Sequence, residues 1–240
     1  MKVSWMKTAL AAAVLCSVGA AQAALITFDG LADSPNAPFM PLAGHGDEFY
    51  QSGMWIDPWS TKAGRQLGDL VGAVVDGTDL ASTCAFVVCP SNNATKFYTA
   101  LNDSQLYLGN LSGKTFRMDQ FDASFVAADG DVVPPLALVL RVDGYNGINL
   151  VAQQDFFVPG PKNGAYNFSH YNFSAAFAGT NIDQVVFYGY ACNAAASCSR
   201  LTDKAQFAID NIQTVPEPAS YLLVGLAVAA AGYARRRRAV

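Results

Sequence analysis

Between Ala24 and Thr214 the sequence predicts an all-β fold, a two-sheet antiparallel β-sandwich of jelly-roll type. Three observations predict it. Short strand-like runs recur between Gly-, Asp- and Asn-containing turns. No amphipathic helix of convincing length separates them. Of the acidic residues in this stretch only Glu48 is a glutamate; Asp competes with helical backbone and suits turns. The chain's 15 Phe and 10 Tyr supply the bulky filling that two facing sheets need.

Taken in order, Leu25–Phe28 is the first strand and Phe49–Ile56 reads as another. Pro35–Gly46 and Asp57–Gly68 read as long loops, where site residues tend to lie. Phe97–Leu101 and Gln105–Leu108 flank Asn102-Asp103-Ser104, a hairpin turn. Phe116–Val126 alternates apolar and polar residues, with a slip near Gln120 that suits a β-bulge. Leu136–Val142 and Ile148–Phe157 flank Asp143-Gly144-Tyr145-Asn146-Gly147, a strong hairpin signal. Tyr171–Phe177, Ile182–Tyr190 and Ala205–Ile212 complete the set. About ten strands in about 190 residues suit a two-layer sandwich, large enough to bury its own core.

The charges are segregated. Of 15 basic residues, two lie in the first 23 positions and four in the last six. The stretch from Ala24 to Thr214 keeps nine, against 18 acidic residues. That excess of negative charge argues against nucleic acid as a partner.

Both ends read as addresses. Lys2, Lys7, the apolar run Leu10–Ala20 and Ala21-Gln22-Ala23 make a secretory signal over residues 1–23, cleaved before Ala24. At the other end, Pro216-Glu217-Pro218 precedes the uncharged stretch Ala219–Ala234, and Arg235, Arg236, Arg237 and Arg238 follow. As a transmembrane helix that stretch would span about 24 Å, a little short of a hydrocarbon core of about 30 Å. The arginines hold their side cytoplasmic and place the sandwich across the membrane. The three-part tail, residues 215–240, resembles the PEP-CTERM sorting signal of Gram-negative bacteria. That resemblance implies transient anchoring in the inner membrane, processing by an exosortase, and delivery to the cell surface or extracellular matrix.

With Cys16 removed in the signal, Cys84, Cys89, Cys192 and Cys198 remain. An even count in an exported chain reads as two disulfides. In one extended strand Cys84 and Cys89 would lie about 16 Å apart, too far to bridge, so a local bridge needs a turn through Ala85–Val88. Cys192 and Cys198 are separated by small residues that fold easily. Cys84–Cys89 with Cys192–Cys198 is favoured, and cross-pairing stays open. The spacings do not match a zinc site.

Ile26-Thr27-Phe28-Asp29-Gly30-Leu31 opens the domain and Gln206-Phe207-Ala208-Ile209-Asp210-Asn211-Ile212 closes it. These look like the first and last strands of carbohydrate-binding-module-like jelly rolls. The resemblance implies one structural calcium ion shared by Asp29 and Asp210, completed by backbone oxygens. The plainer alternative makes Asp29 a turn residue and places Asp210-Asn211 at a strand end.

Evidence for an active site is thin, and no catalytic residue is assigned. His45 falls in Gly44-His45-Gly46-Asp47-Glu48 and reads as a solvated loop residue; His170 reads as a strand-edge or loop residue. No Gly-x-Ser-x-Gly elbow or His-Glu-x-x-His occurs. Binding asks less: sugar faces stack on aromatic rings while polar groups take their hydroxyls. Trp55, Asp57 and Trp59 lie together in a loop-like stretch. Tyr145 and Asn146 lie at a hairpin tip, and Tyr166, Tyr171 and Asn172 form a third cluster. The expectation is an exported, exosortase-sorted module, non-catalytic, which binds extracellular polysaccharide or serves as a structural matrix component. The alternative is an extracellular polysaccharide hydrolase or lyase, which requires a carboxylate pair at catalytic separation.

Overall fold

The computed structural model describes residues 23–31, 41–84 and 87–216. The expected signal segment, Glu217, Pro218, the expected transmembrane helix and Arg235–Arg238 lie outside them. Among the described residues no helix is long and apolar enough to cross a membrane. Residues 23–215 form one compact unit.

Among the described residues sixteen strands run in chain order: β1 (Ala24–Ile26), β2 (Leu42–Gly44), β3 (Phe49–Gln51), β4 (Met54–Trp59), β5 (Leu70–Asp76), β6 (Val87–Val88), β7 (Lys96–Ala100), β8 (Gln105–Asn110), β9 (Phe116–Phe125), β10 (Ala127–Ala128), β11 (Leu136–Asn146), β12 (Asn149–Pro159), β13 (Ser169–Asn172), β14 (Gln184–Cys192), β15 (Cys198–Ser199) and β16 (Phe207–Pro216). Among the described residues the α-helical content is two single turns, α1 (Leu80–Thr83) and α2 (Ala175–Ala178). Sheet I has the order β13-β9-β16-β7-β5-β2, with β1 added beside β16. Sheet II has the order β12-β11-β14-β8-β4-β3, with β15 added beside β14. Neighbouring strands such as β11 and β12, β11 and β14, β4 and β8, and β5 and β7 pair antiparallel, so the all-β sandwich read from the sequence is the fold.

Alternation decides which side chains fill the sandwich. On sheet II, Met54, Ile56, Leu106, Leu108, Leu138, Leu140, Val142, Val185 and Phe187 point inward and are buried. Sheet I answers with Phe116, Met118, Phe121, Tyr98, Phe207 and Ile209. A second, smaller core lies outside the main cluster: Ala73, Val75, Phe97, Val126 and Ala208, with Cys89 and the partly buried Leu80, Cys84 and Val87 packed on it. Part of the excursion between β5 and β7, stapled by Cys84–Cys89, therefore covers sheet I.

That cover accounts for β5, which sequence reading passes over. Leu70-Val71-Gly72-Ala73-Val74-Val75-Asp76 is apolar almost throughout because Val71 to Val75 are buried on both faces. A strand buried on both sides loses its alternation.

Three further expectations change. Phe49–Ile56 is a hairpin, not one strand: Ser52 (φ 53°) and Gly53 (φ 78°) turn β3 into β4. The loop expected from Asp57 begins only after Trp59, because Asp57, Pro58 and Trp59 continue β4 against β8. Tyr171–Phe177 is strand only to Asn172; Ser174 then caps α2, its hydroxyl accepting from the Phe177 N–H. The slip near Gln120 is present as two successive partly exposed residues, Asp119 and Gln120, in β9. Both local disulfides are formed, Cys84–Cys89 and Cys192–Cys198.

Candidate functional site

Covering part of sheet I leaves the outer face of sheet II as the place where polar and aromatic side chains gather. β4 alternates buried and partly exposed residues, so Trp55, Asp57 and Trp59 all face outward. Register places their neighbours. In one row Trp55 stands opposite Gly109, Gly109 opposite Gln184, and Gln184 opposite Tyr145. In the next, Asp57 stands opposite Tyr107, Tyr107 opposite Val186, and Val186 opposite Asp143. In the third, Trp59 faces Gln105, and across the sheet Tyr188 faces Arg141. Trp55 and Tyr145 are three strands apart, about 14 Å at the usual spacing.

Glycine at 109 matters here. A Cβ at that position would overlap the Trp55 indole, so the ring lies across the strand only because no side chain rises beneath it. Trp59 is wedged from three sides. The His45 ring meets it edge-on at 4.2 Å, Tyr107 lies at 6.1 Å, and the Arg65 guanidinium lies 5.1 Å from its centroid.

His45 is buried, against the expectation of a solvated loop residue. Its backbone N–H donates to Asp69 O and its carbonyl accepts from Gly68 N–H; its Nδ1 accepts from the Ser60 N–H at 3.5 Å. Burial, then the Arg65 charge, hold its imidazole below the ordinary range. His45 acts as a packing partner of Trp59.

Beside the tryptophans a depression of about 370 Å³ is lined by Gln105, Tyr107, Asp143, Tyr145, Tyr188 and Arg200, among others. Asp143, 5% exposed, forms its anchored floor. Its Oδ2 accepts from the Tyr188 hydroxyl at 2.7 Å and its Oδ1 from Gln153 Nε2 at 2.8 Å. The Arg200 guanidinium lies 4.2 Å from the Tyr188 centroid, a cation–π contact.

Two buried polar atoms on this face have no protein partner, Asp57 Oδ1 and Arg200 Nε. An unpaired buried acceptor and an unpaired buried donor are costly, so packing alone leaves Asp57 and Arg200 incompletely satisfied. Burial, with the Glu48 and Asp47 charges adding, pushes the Asp57 carboxyl up to about 6.

Not every candidate joins this face. Asn146 is exposed and pairs with Asn149 at the tip of the β11–β12 hairpin, beside the depression and not among its lining residues. Tyr166 packs on Phe125 within the core, and Tyr171 stacks on Phe121 and donates to Phe157 O. Tyr166 and Tyr171 are therefore structural, while Asn172 is exposed on β13. His170 sits on the edge strand β13, where its Nδ1 lies 2.8 Å from Asp122 Oδ1. Sequence reading missed Tyr107, Asp143, Tyr188 and Arg200. Tyr107 and Tyr188 are readable only as strand positions, Asp143 reads as part of the hairpin turn although β11 runs on to Asn146, and Arg200 carries no local signal.

At the opposite corner the structure gathers the residues suggested for calcium. Asp29 Oδ1 accepts from the Lys96 N–H at 2.9 Å. Asp210, fully buried, accepts from Asn93 Nδ2 at 2.7 Å, the Thr95 hydroxyl at 3.3 Å and the Asn211 N–H at 2.7 Å. Asp210-Asn211 does not end a strand. Asn211 turns left-handed (φ 50°) in mid-β16, between the residues paired with β7 and those paired with β1. Burial lifts the Asp210 carboxyl to about 6; the three hydrogen bonds oppose the rise and the Asp29 charge adds to it. Asp210 makes no ion pair among the described residues. A buried carboxylate beside a second carboxylate, with no cation at hand, is chemistry a dication fits.

Raising a carboxyl from 3.8 to about 6 costs the anion on the order of 3 kcal/mol. The sign follows from linkage: this stability is fully present below about pH 4 and is lost as pH rises through about 6. Asp210→Asn should therefore gain on the wild type between pH 4.5 and 7.5, with metal chelated. Thermal unfolding at both pH values checks it, and a difference independent of pH counts against the assignment.

Residues 214–238 match the model of the PEP-CTERM protein-sorting motif. The molecule is thus an all-β sandwich carrying a C-terminal exosortase sorting motif, and that motif implies export and membrane anchoring before processing. The sandwich is similar in fold to a DUF4465 family protein from Bacteroides caccae, at 12% identity and a TM-score of 0.53, covering 82% of this chain and 100% of that one. Weaker likenesses include the CBM22-2 xylan-binding domain from Paenibacillus barcinonensis Xyn10C, at 11% identity and a TM-score of 0.35, covering 82% and 99%. A Streptococcus pneumoniae fucose binding module matches at 11% identity and a TM-score of 0.29, covering 50% and 70%. No curated protein matches the sequence.

Proposed function

We propose that this protein is a non-catalytic glycan-binding module, carried by its sorting motif to the cell surface or extracellular matrix of a Gram-negative bacterium. An exosortase is its processing partner and extracellular polysaccharide its ligand. The platform is the outer face of sheet II. The observation that carries this reading is the gathering there of Trp55, Trp59, Tyr107, Tyr145 and Tyr188 with the unpartnered Asp57 Oδ1 and Arg200 Nε. Rings offer stacking faces to sugars, and the partly exposed Asp57 carboxyl and Arg200 guanidinium offer polar groups to their hydroxyls. Asp143 has both oxygens engaged by Tyr188 and Gln153, which suits a fixed anchor better than a group that shuttles protons.

In the same reading Asp29 and Asp210 hold one calcium ion. It supplies positive charge to the buried Asp210 carboxylate and the exposed Asp29 beside it, and ties the segment after β1 to β16 near the start of β7; its role is structural.

A glycan array probed with the purified sandwich, with calcium or with chelator, tests both parts. Retention of specific polysaccharides, reduced at least about tenfold by Trp59→Ala, is expected. Calcium should raise the unfolding temperature of the wild type and not of Asp210→Asn. No retention on the array would move the reading to a structural matrix component.

A further inference from the structure

Arg200 reaches the platform from a segment with no regular structure. β15 contributes only Cys198 and Ser199, paired with Cys192 and Ala191 of β14. The chain then crosses from sheet II toward β16 in sheet I, with Arg200 at its start. Two of its non-glycine residues are left-handed, Leu201 (φ 63°) and Asp203 (φ 58°), a backbone state that must be held by its surroundings. Leu201 is 67% exposed, so apolar packing does not hold it.

Two anchors do. At one end the Cys192–Cys198 disulfide locks β15 onto the end of β14. At the other, the carboxylate of Asp103, 3% exposed, receives the Asp203 N–H at 2.7 Å on Oδ2 and the Ala205 N–H at 2.6 Å on Oδ1. Asp103 is itself held in the left-handed β7–β8 turn (Asn102 φ 55°, Asp103 φ 54°), and its carbonyl accepts from the Thr61 hydroxyl. Charge-assisted hydrogen bonds of this kind are the stronger ones. The exposed Lys204–Asp131 pair at 3.1 Å adds little by comparison.

We infer that Arg200 is a ligand-selecting residue of the platform, and that Asp103 and the Cys192–Cys198 disulfide are its positioning residues, holding a strap that lays the guanidinium over Tyr188. This rests on the platform reading for its ligand, and on the strap geometry alone for the positioning. Arg200, which lines the depression, reads a polar oxygen on the sugar through its guanidinium N–H groups. Its cation–π seat on Tyr188 supplies only part of the restraint, because an arginine stem left on a loose strap keeps its rotamer freedom.

The test uses the full chain, exported and purified in detergent, as wild type, Asp103→Asn, the double variant Cys192→Ser/Cys198→Ser, and Arg200→Ala. The first measurement needs no glycan. Phenylglyoxal modification is followed by peptide mass spectrometry, with Arg141 as internal reference, held by its bidentate pair with Asp155. Arg200 should react several-fold faster in both strap variants, while Arg141 is unchanged. The second measurement is glycan retention, expected to weaken about tenfold in Arg200→Ala and to a similar extent in the strap variants. Unchanged Arg200 reactivity in both strap variants overturns the positioning assignment, whatever the binding result. Wild-type-like retention by Arg200→Ala overturns its selecting role. Faster modification in a protein that binds no glycan supports the strap and overturns the platform reading, so the two failures are told apart.

Discussion

Replacing Phe121 by Ala should destabilise the sandwich by about 3–5 kcal/mol. Phe121 is fully buried in β9 of sheet I. Its ring meets Phe156 at 4.8 Å, Phe187 at 5.3 Å, Phe173 at 5.4 Å and Tyr171 at 5.5 Å. Phe156 and Phe187 belong to β12 and β14 of sheet II, so one ring joins the two layers. Removing it strips contacts from four aromatics at once. Rigid rings on two different sheets cannot close the gap without moving strands, which places the cost toward the upper end. Urea denaturation of the two proteins measures it. A loss below about 1 kcal/mol would mean that the layers repack freely, contrary to the geometry described.

The second large effect is on binding. Gly109→Val should abolish the flat seat of Trp55 and lower glycan retention more than tenfold. Even a Cβ at this position overlaps the indole, and valine adds two methyls. The position is on the outer face, and valine is itself a good strand residue. The stability cost should therefore stay within about 1–3 kcal/mol, the range for local overpacking. Tryptophan fluorescence reports whether the indole has moved. A displaced Trp55 with undiminished retention would remove it from the platform.

The alternating segments were legible because alternation survives wherever one face is wet. Phe116–Val126 shows this most fully, slip included, since Asp119 and Gln120 stay partly exposed while Phe116, Met118 and Phe121 go inward. Leu70–Asp76 was not legible as a strand, because its cover on the second face erased the pattern. Asp57-Pro58-Trp59 reads as the start of a loop for the opposite reason. Pro58 is a poor strand residue in isolation, yet β4 pairs with β8 through it. The turn before β4 is carried by Ser52 and Gly53, and the preceding Phe49-Tyr50-Gln51 then pairs back on the same strand.

Composition, turn chemistry and motif order were enough to establish, without coordinates, an all-β sandwich and a sorting motif at the C-terminus, and to favour two local disulfides over the cross-pairing that the structure rules out. Each of these is written in neighbouring residues: alternation of period two, cysteines five and six positions apart, and a Pro-Glu-Pro, apolar and Arg succession. The candidate site is different in kind. Trp55, Tyr107, Asp143, Tyr188 and Arg200 come from β4, β8, β11, β14 and the crossing after β15. They meet only because strand order and register put them on one open face, while part of the excursion between β5 and β7 covers sheet I. Register across a sheet depends on which strands become neighbours, and that is decided by the shared burial of the inward faces, a property of the whole fold that no single segment contains.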